Sequence, residues 1–177
     1  MATVMTTRKR VILVLFIIGS CIAGDQITKE MAQSHLPRTK VFSFAGDTLR
    51  FDYTENKGAV LSFEYCLPEE LRGSVLTVAV AAFMGLLILV LLFAPVLRLP
   101  SVVALSLICG GSLSNLLDRI AFGGDVIDFV SLGWGGLRSA IFNVADAAIT
   151  IGAVLLVVSI VWYLRPSASA RPIQPLC

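Results

Sequence analysis

The stretch from Ser74 to Leu97 contains no charged residue and is bracketed by Arg72 and Arg98. A helix needs about 20 apolar residues to cross the hydrocarbon core of a bilayer, so this segment spans without help. Leu99 to Leu117 also suffices and ends at Asp118 and Arg119. Ala147 to Leu164 is slightly short, and residues 141–146 are expected to complete that helix from its outer end. Val11 to Gly24 crosses only if the helix continues through Asp25, Gln26, Thr28 and Lys29 to about Ala32. That extension puts polar groups inside the outer part of the membrane, where they are costly and functional by default.

Composition agrees with the spans. Only 15% of residues are charged, against roughly a quarter in a soluble domain, and mean hydropathy is +0.86. A net charge of +2 without a basic stripe argues against nucleic acid as a partner. The four cysteines form no CxxC pair and the one histidine is His35, so neither a metal site nor a disulfide is expected.

Charge placement sets the expected orientation. Arg8, Lys9, Arg10, Arg98, Arg165 and Arg171 fall on one side of the spans with no acidic residue among them. Both termini are therefore expected in the cytoplasm. The chain reads as a single membrane domain, 1–177, with helices at about 9–32, 74–97, 100–121 and 141–164. Residues 36–72 form a larger external segment. There Leu49, Phe51 and Tyr53 alternate with Arg50, Asp52 and Thr54, the period of a half-buried strand. Val41, Phe42 and Phe44 suggest a preceding strand across a Gly46-Asp47 turn, giving a small sheet on the membrane surface. The second external connection, 122–138, is glycine-rich and reads as a mobile loop; the tail 166–177 reads as disordered.

Helical spacing decides which polar groups can meet. Asn115, Asp118 and Arg119 share a face of the third helix, as do Asp25 and Lys29 on the first and Asn143 and Asp146 on the fourth. Gly111 lets a neighbouring backbone approach the third helix closely. The clusters reach one depth, just under the external surface. Asp25 has Lys29 as a partner and Asp118 has Arg119 beside it, so a structural ion-pair role suits both. Asp128 and Asp146 have no basic residue within four positions. Half-buried carboxylates without a cation share a proton or stay protonated, and two brought together form the dyad of aspartic proteases. An ordinary loop aspartate at 128 and a helix-start carboxylate at 146, favoured by the macrodipole, are the plainer alternatives.

Five blocks carry a resemblance: Asp25-Gln26-Ile27-Thr28-Lys29, Asn56-Lys57-Gly58-Ala59, Gly110 to Arg119, Val126-Ile127-Asp128-Phe129, and Phe142-Asn143-Val144-Ala145-Asp146. In this order and register the chain resembles the bacterial lipoprotein signal peptidases, or signal peptidase II. The resemblance implies a mainly α, four-helix membrane fold with a small external sheet, and an intramembrane aspartyl endopeptidase of the bacterial inner membrane. Its catalytic residues would be Asp128 and Asp146. Asp25, Lys29, Asn56, Gly58, Asn115, Arg119 and Asn143 would support the dyad or hold substrate. The substrate implied is a diacylglyceryl-modified prolipoprotein, cut N-terminal to the lipidated cysteine by a monomer in contact with membrane lipid. No metal or organic cofactor is required. The chain departs from the family pattern at Val60-Leu61, where an aromatic residue is usual, and at Ala147, where a serine is common.

Two other readings stay open at this level. Ile18-Gly19-Ser20-Cys21 after a basic start resembles a lipoprotein signal with its lipidation site. Intramembrane carboxylates also suit a small transporter, although no repeat or interrupted midplane helix accompanies them.

Overall fold

The computed structural model describes residues 5–56, 69–94 and 97–164. Four helices, α1 (Thr7–His35), α2 (Glu69–Phe93), α3 (Leu99–Ala121) and α4 (Val144–Leu164), run beside a four-stranded sheet. The strands are β1 (Phe42–Phe44), β2 (Leu49–Asn56), β3 (Val126–Trp134) and β4 (Leu137–Arg138), in the order β1-β2-β3-β4 and antiparallel throughout. Among the described residues α1, α3 and α4 are long and apolar enough to cross a membrane, and α2 adds the shorter apolar stretch Thr77–Phe93. From Arg10 to Lys29 on α1 the rise is about 28 Å at 1.5 Å per residue, close to the hydrocarbon thickness.

Helix α3 is the hub, packing against α1, α2 and α4. Small residues make that possible. A side chain at Gly111 would collide with the Ala145 carbonyl at the start of α4, and one at Gly152 would lie 2.7 Å from the Ala104 carbonyl. At Gly110 a Cβ would lie 2.8 Å from that of Cys21 on α1. Each contact brings helix backbones together at van der Waals range, as membrane packing favours. The buried cluster Val14, Met84, Leu87, Leu91, Val102 and Cys109 fills the space between α1, α2 and α3. At the far end of α1, Arg10 donates to the Ala94 and Leu97 carbonyls after α2, at 2.7 and 3.2 Å.

Several expected boundaries move. The glycine-rich connection 122–138 is not a loop: residues 126–134 form the central strand β3 and 137–138 its partner β4. Val126 to Phe129 are all buried, so the polar–apolar alternation that betrays a one-sided strand is missing, and the flanking glycines dominate the reading. Helix α4 starts at Val144 and not at 141, because Phe142 pairs instead with Val130 of β3. Helix α2 ends at Phe93, short of the expected 97. The expected turn forms between β1 and β2, with Ala45, Gly46 and Asp47 at positive φ. The exposed Asp47 carboxyl is held well below the usual carboxylate range by hydrogen bonds from Arg50 and Ser43, and Arg138 ties it to the β3–β4 hairpin. Residues 57–68, Gly58 among them, and the tail after Leu164 lie outside the described residues.

Candidate active site

The C-terminal halves of α1 and α3, the buried half of β3 and the start of α4 converge on one polar cluster. Its floor is a cation. Lys29 Nζ lies 2.6 Å from Asp25 Oδ2 and 2.7 Å from Asp118 Oδ2, with all three residues almost fully buried. Asp25 also accepts from Ser114 Oγ (2.8 Å) and from the Ala145 amide (2.8 Å). Asp118 accepts from Gln26 Nε2 (2.8 Å) and from the Ile127 amide (3.2 Å). One ion cluster therefore holds the beginning of α4 through Ala145 and the beginning of β3 through Ile127. Those contacts place the residue after each, Asp146 and Asp128, on backbones that are themselves pinned.

Helix α4 begins with a capping box. The Asp146 amide donates to Asn143 Oδ1 at 2.8 Å, and the Asn143 amide donates back to Asp146 Oδ2 at 3.2 Å. The reciprocal pair satisfies two helix-start donors and explains the start at Val144. With Oδ1 committed, Asn143 Nδ2 donates to Asp128 Oδ1 (2.7 Å), to Asn115 Oδ1 (3.1 Å) and to the Ile127 carbonyl (3.1 Å). Asn115 works in the same way. Its Oδ1 also accepts from Lys29 Nζ (2.9 Å), which leaves its Nδ2 to donate to Asp146 Oδ1 (2.9 Å). Asn56, on β2, donates to Asp128 Oδ2 at 2.9 Å.

The result is a matched pair. Each oxygen of Asp128 and of Asp146 accepts a hydrogen bond from a neutral N–H, and among the described residues neither carboxyl has an ion-pair partner. Asn143 touches both. Asp128 is buried, at 2% exposure. Burial pushes its pKa up to about 6; the nearby Asp146 charge adds to the rise, and the amides of Asn56 and Asn143 and the Lys29 charge oppose it without cancelling it. Asp146 is half-buried and opens onto a cleft of about 410 Å³, lined also by Ser139, Phe142, Ala147, Thr150 and Ile151.

A family model described as signal peptidase (SPase) II, Peptidase_A8, matches residues 17–162. The chain belongs to the signal peptidase II family. A lipoprotein signal peptidase of Syntrophus aciditrophicus is 34% identical over 87% of this chain and 95% of its own length. That of Rhodococcus jostii is 32% identical over 95% and 82%. The fold matches a bacterial membrane enzyme solved in meso at 2.3 Å, with a TM-score of 0.70 over 99% of both chains at 21% identity. A second such structure, at 1.9 Å, gives 0.68 over 94% of this chain and 99% of its own, at 23% identity.

Within this signal peptidase II chain the described residues singled out by sequence meet, with one correction. Asp118 takes its cation from Lys29 across the helix interface; Arg119, its neighbour in sequence, instead donates to the Asn115 carbonyl at 3.3 Å. Asn56 bonds Asp128 directly. Asn115 bonds Asp146. Sequence reading missed Gln26 and Ser114, which complete the shells of Asp118 and Asp25. Their signal was available: Gln26 adjoins Asp25, and Ser114 adjoins Asn115.

Proposed function

We propose that Asp128 and Asp146 are the catalytic pair with which this aspartic peptidase removes signal peptides from prolipoproteins. One observation carries the reading: neutral amides hold both carboxyl groups, neither has an ion-pair partner among the described residues, and Asp146 lines an open cleft. Burial that raises the proton affinity of Asp128 suits it to the acid role. Asp146 then takes a proton from the water that attacks the scissile carbonyl. Asp128 donates its proton to the carbonyl oxygen; as the carbon–nitrogen bond breaks, the proton held by Asp146 passes to the leaving amine and the re-forming carboxyl group returns one to Asp128.

The finer readings go with the family resemblance and the charge pattern of the spans. The substrate carries diacylglyceryl on the cysteine after the cut, and its acyl chains stay in the outer leaflet beside the site. Both termini face the cytoplasm, in keeping with the basic flanks, and the protein acts as a monomer. The sheet lies at the outer surface, where Trp134 and Leu137 at the β3–β4 hairpin are almost fully exposed and available to the lipid interface.

Purified protein tests this with a diacylglyceryl-modified prolipoprotein in micelles. Asp128→Asn and Asp146→Asn are each expected to lower the cleavage rate by at least about 10³-fold while keeping the wild-type helix content and a cooperative thermal transition no lower than wild type's. Cleavage by either variant within tenfold of wild type would contradict its role.

A further inference from the structure

The end of the helix bundle opposite the carboxylates holds a second groove, of about 400 Å³, between the start of α3 and the end of α4. Its α4 wall is Leu155, Val158, Ser159, Trp162 and Tyr163, the spacing of a single helix face. The deep part is apolar, and Ser159 closes it by bonding Ser101 of α3 at 2.9 Å. At the mouth, the Arg98 guanidinium stands 4.6 Å from the centre of the Tyr163 ring. Stacking on a ring holds a guanidinium in place while leaving its N–H edge free to donate.

The charge around this mouth is one-sided. No Asp or Glu occurs between Glu70 and Asp118 or after Asp146, so no acidic side chain on α3 or α4 competes for Arg98. The buried cation at this end, Arg10, is committed to the Ala94 and Leu97 carbonyls. Arg98 is also the N-cap of α3 and gives the first-turn amides no side-chain acceptor, which adds a positive helix end to the same mouth. A basic group, two interfacial aromatics and an apolar trough between spanning helices are the parts that hold one kind of molecule in a membrane.

We propose that this groove is a binding site for an anionic phospholipid, with the phosphate at Arg98 and one acyl chain lying along Leu155 and Val158. The apolar trough selects a lipid over free phosphate, and Arg98 selects an anionic headgroup over a zwitterionic one. The site is remote from the cleft at Asp146 and its occupancy is independent of proteolysis.

Tryptophan fluorescence reads the site directly. The chain has two tryptophans, so Trp134→Phe in the full-length protein leaves Trp162 as the reporter in the groove. In phosphatidylcholine bilayers, brominated phosphatidylglycerol is expected to quench Trp162 with about fivefold higher apparent affinity than brominated phosphatidylcholine. Arg98→Gln in that background should bring the ratio to about 1, and Arg98→Lys should preserve most of it. Ser159→Leu fills the trough without changing charge and should weaken quenching by both lipids. Equal affinities in the parent, a ratio that persists in Arg98→Gln, or quenching unaltered by Ser159→Leu would each overturn the proposal.

Discussion

Two pairs of aspartates sit side by side at one end of this bundle, and their surroundings differ in a single respect. Asp25 and Asp118 share Lys29, whereas Asp128 and Asp146 are met by amide donors from Asn56, Asn115, Asn143 and the backbone. A buried carboxylate beside an ammonium stays ionised and holds structure together. One held by neutral donors gains enough to be buried but stays free to exchange a proton. On the proposed function, the first pair is a framework and the second a reagent. Asn115 joins them: Lys29 fixes its oxygen and thereby aims its nitrogen at Asp146.

Removing the cation should have the largest effect on folding. Lys29→Met leaves two buried carboxylates without a counter-charge, and such losses cost about 3–5 kcal/mol. Unfolding titration in mixed micelles measures it. Rescue of stability by adding Asp118→Asn to Lys29→Met is expected, since one stranded charge is then gone. A Lys29→Met protein as stable as wild type would erase the distinction between the pairs.

Asn143→Ala comes next. It removes the side chain that caps α4 and also donates to Asp128, so turnover should fall about 10²-fold through misplaced carboxyls. The lost cap should cost stability by about 1 kcal/mol. Steady-state cleavage and thermal melting separate the two. Gly111→Ala pushes on the Ala145 carbonyl and should destabilise by about 1–3 kcal/mol, as overpacking does.

The smallest effect is a pH dependence. With the Asp128 pKa raised to about 6 when folded and near 4 when unfolded, the native state binds more protons between those values. Stability contributed by this group is therefore full below about pH 4 and falls as pH rises to about 6. Asp128→Asn should remove that decline and raise the thermal midpoint above pH 6, whereas the opposite sign would mean that a cation reaches Asp128 after all.

Much of the contrast could be read from spacing. Asp25 and Lys29 are one helical turn apart, and nothing basic lies within four positions of Asp128 or Asp146; both facts need only local geometry. The spans follow from charge-free length, and Gly111 from its place on the polar face of α3. What escaped depends on tertiary neighbours. Lys29 reaches Asp118 from another helix, and no periodicity along one segment reports that. β3 is buried on both faces at its start, so it carries no alternation. The capping box at Asn143 was visible as an Asn three residues before an Asp, but the apolar run beyond it made an earlier helix start look necessary.

The central claim is that Asp128 and Asp146 act as one unit, and a double-mutant cycle on cleavage rate tests it most directly. If they do, Asp128→Asn with Asp146→Asn together should be no slower than the worse single variant, because the reaction already lacks its pair. Losses that multiply, with the double variant slower by the product of the two single effects, would mean that the two carboxyl groups work independently and would contradict the account.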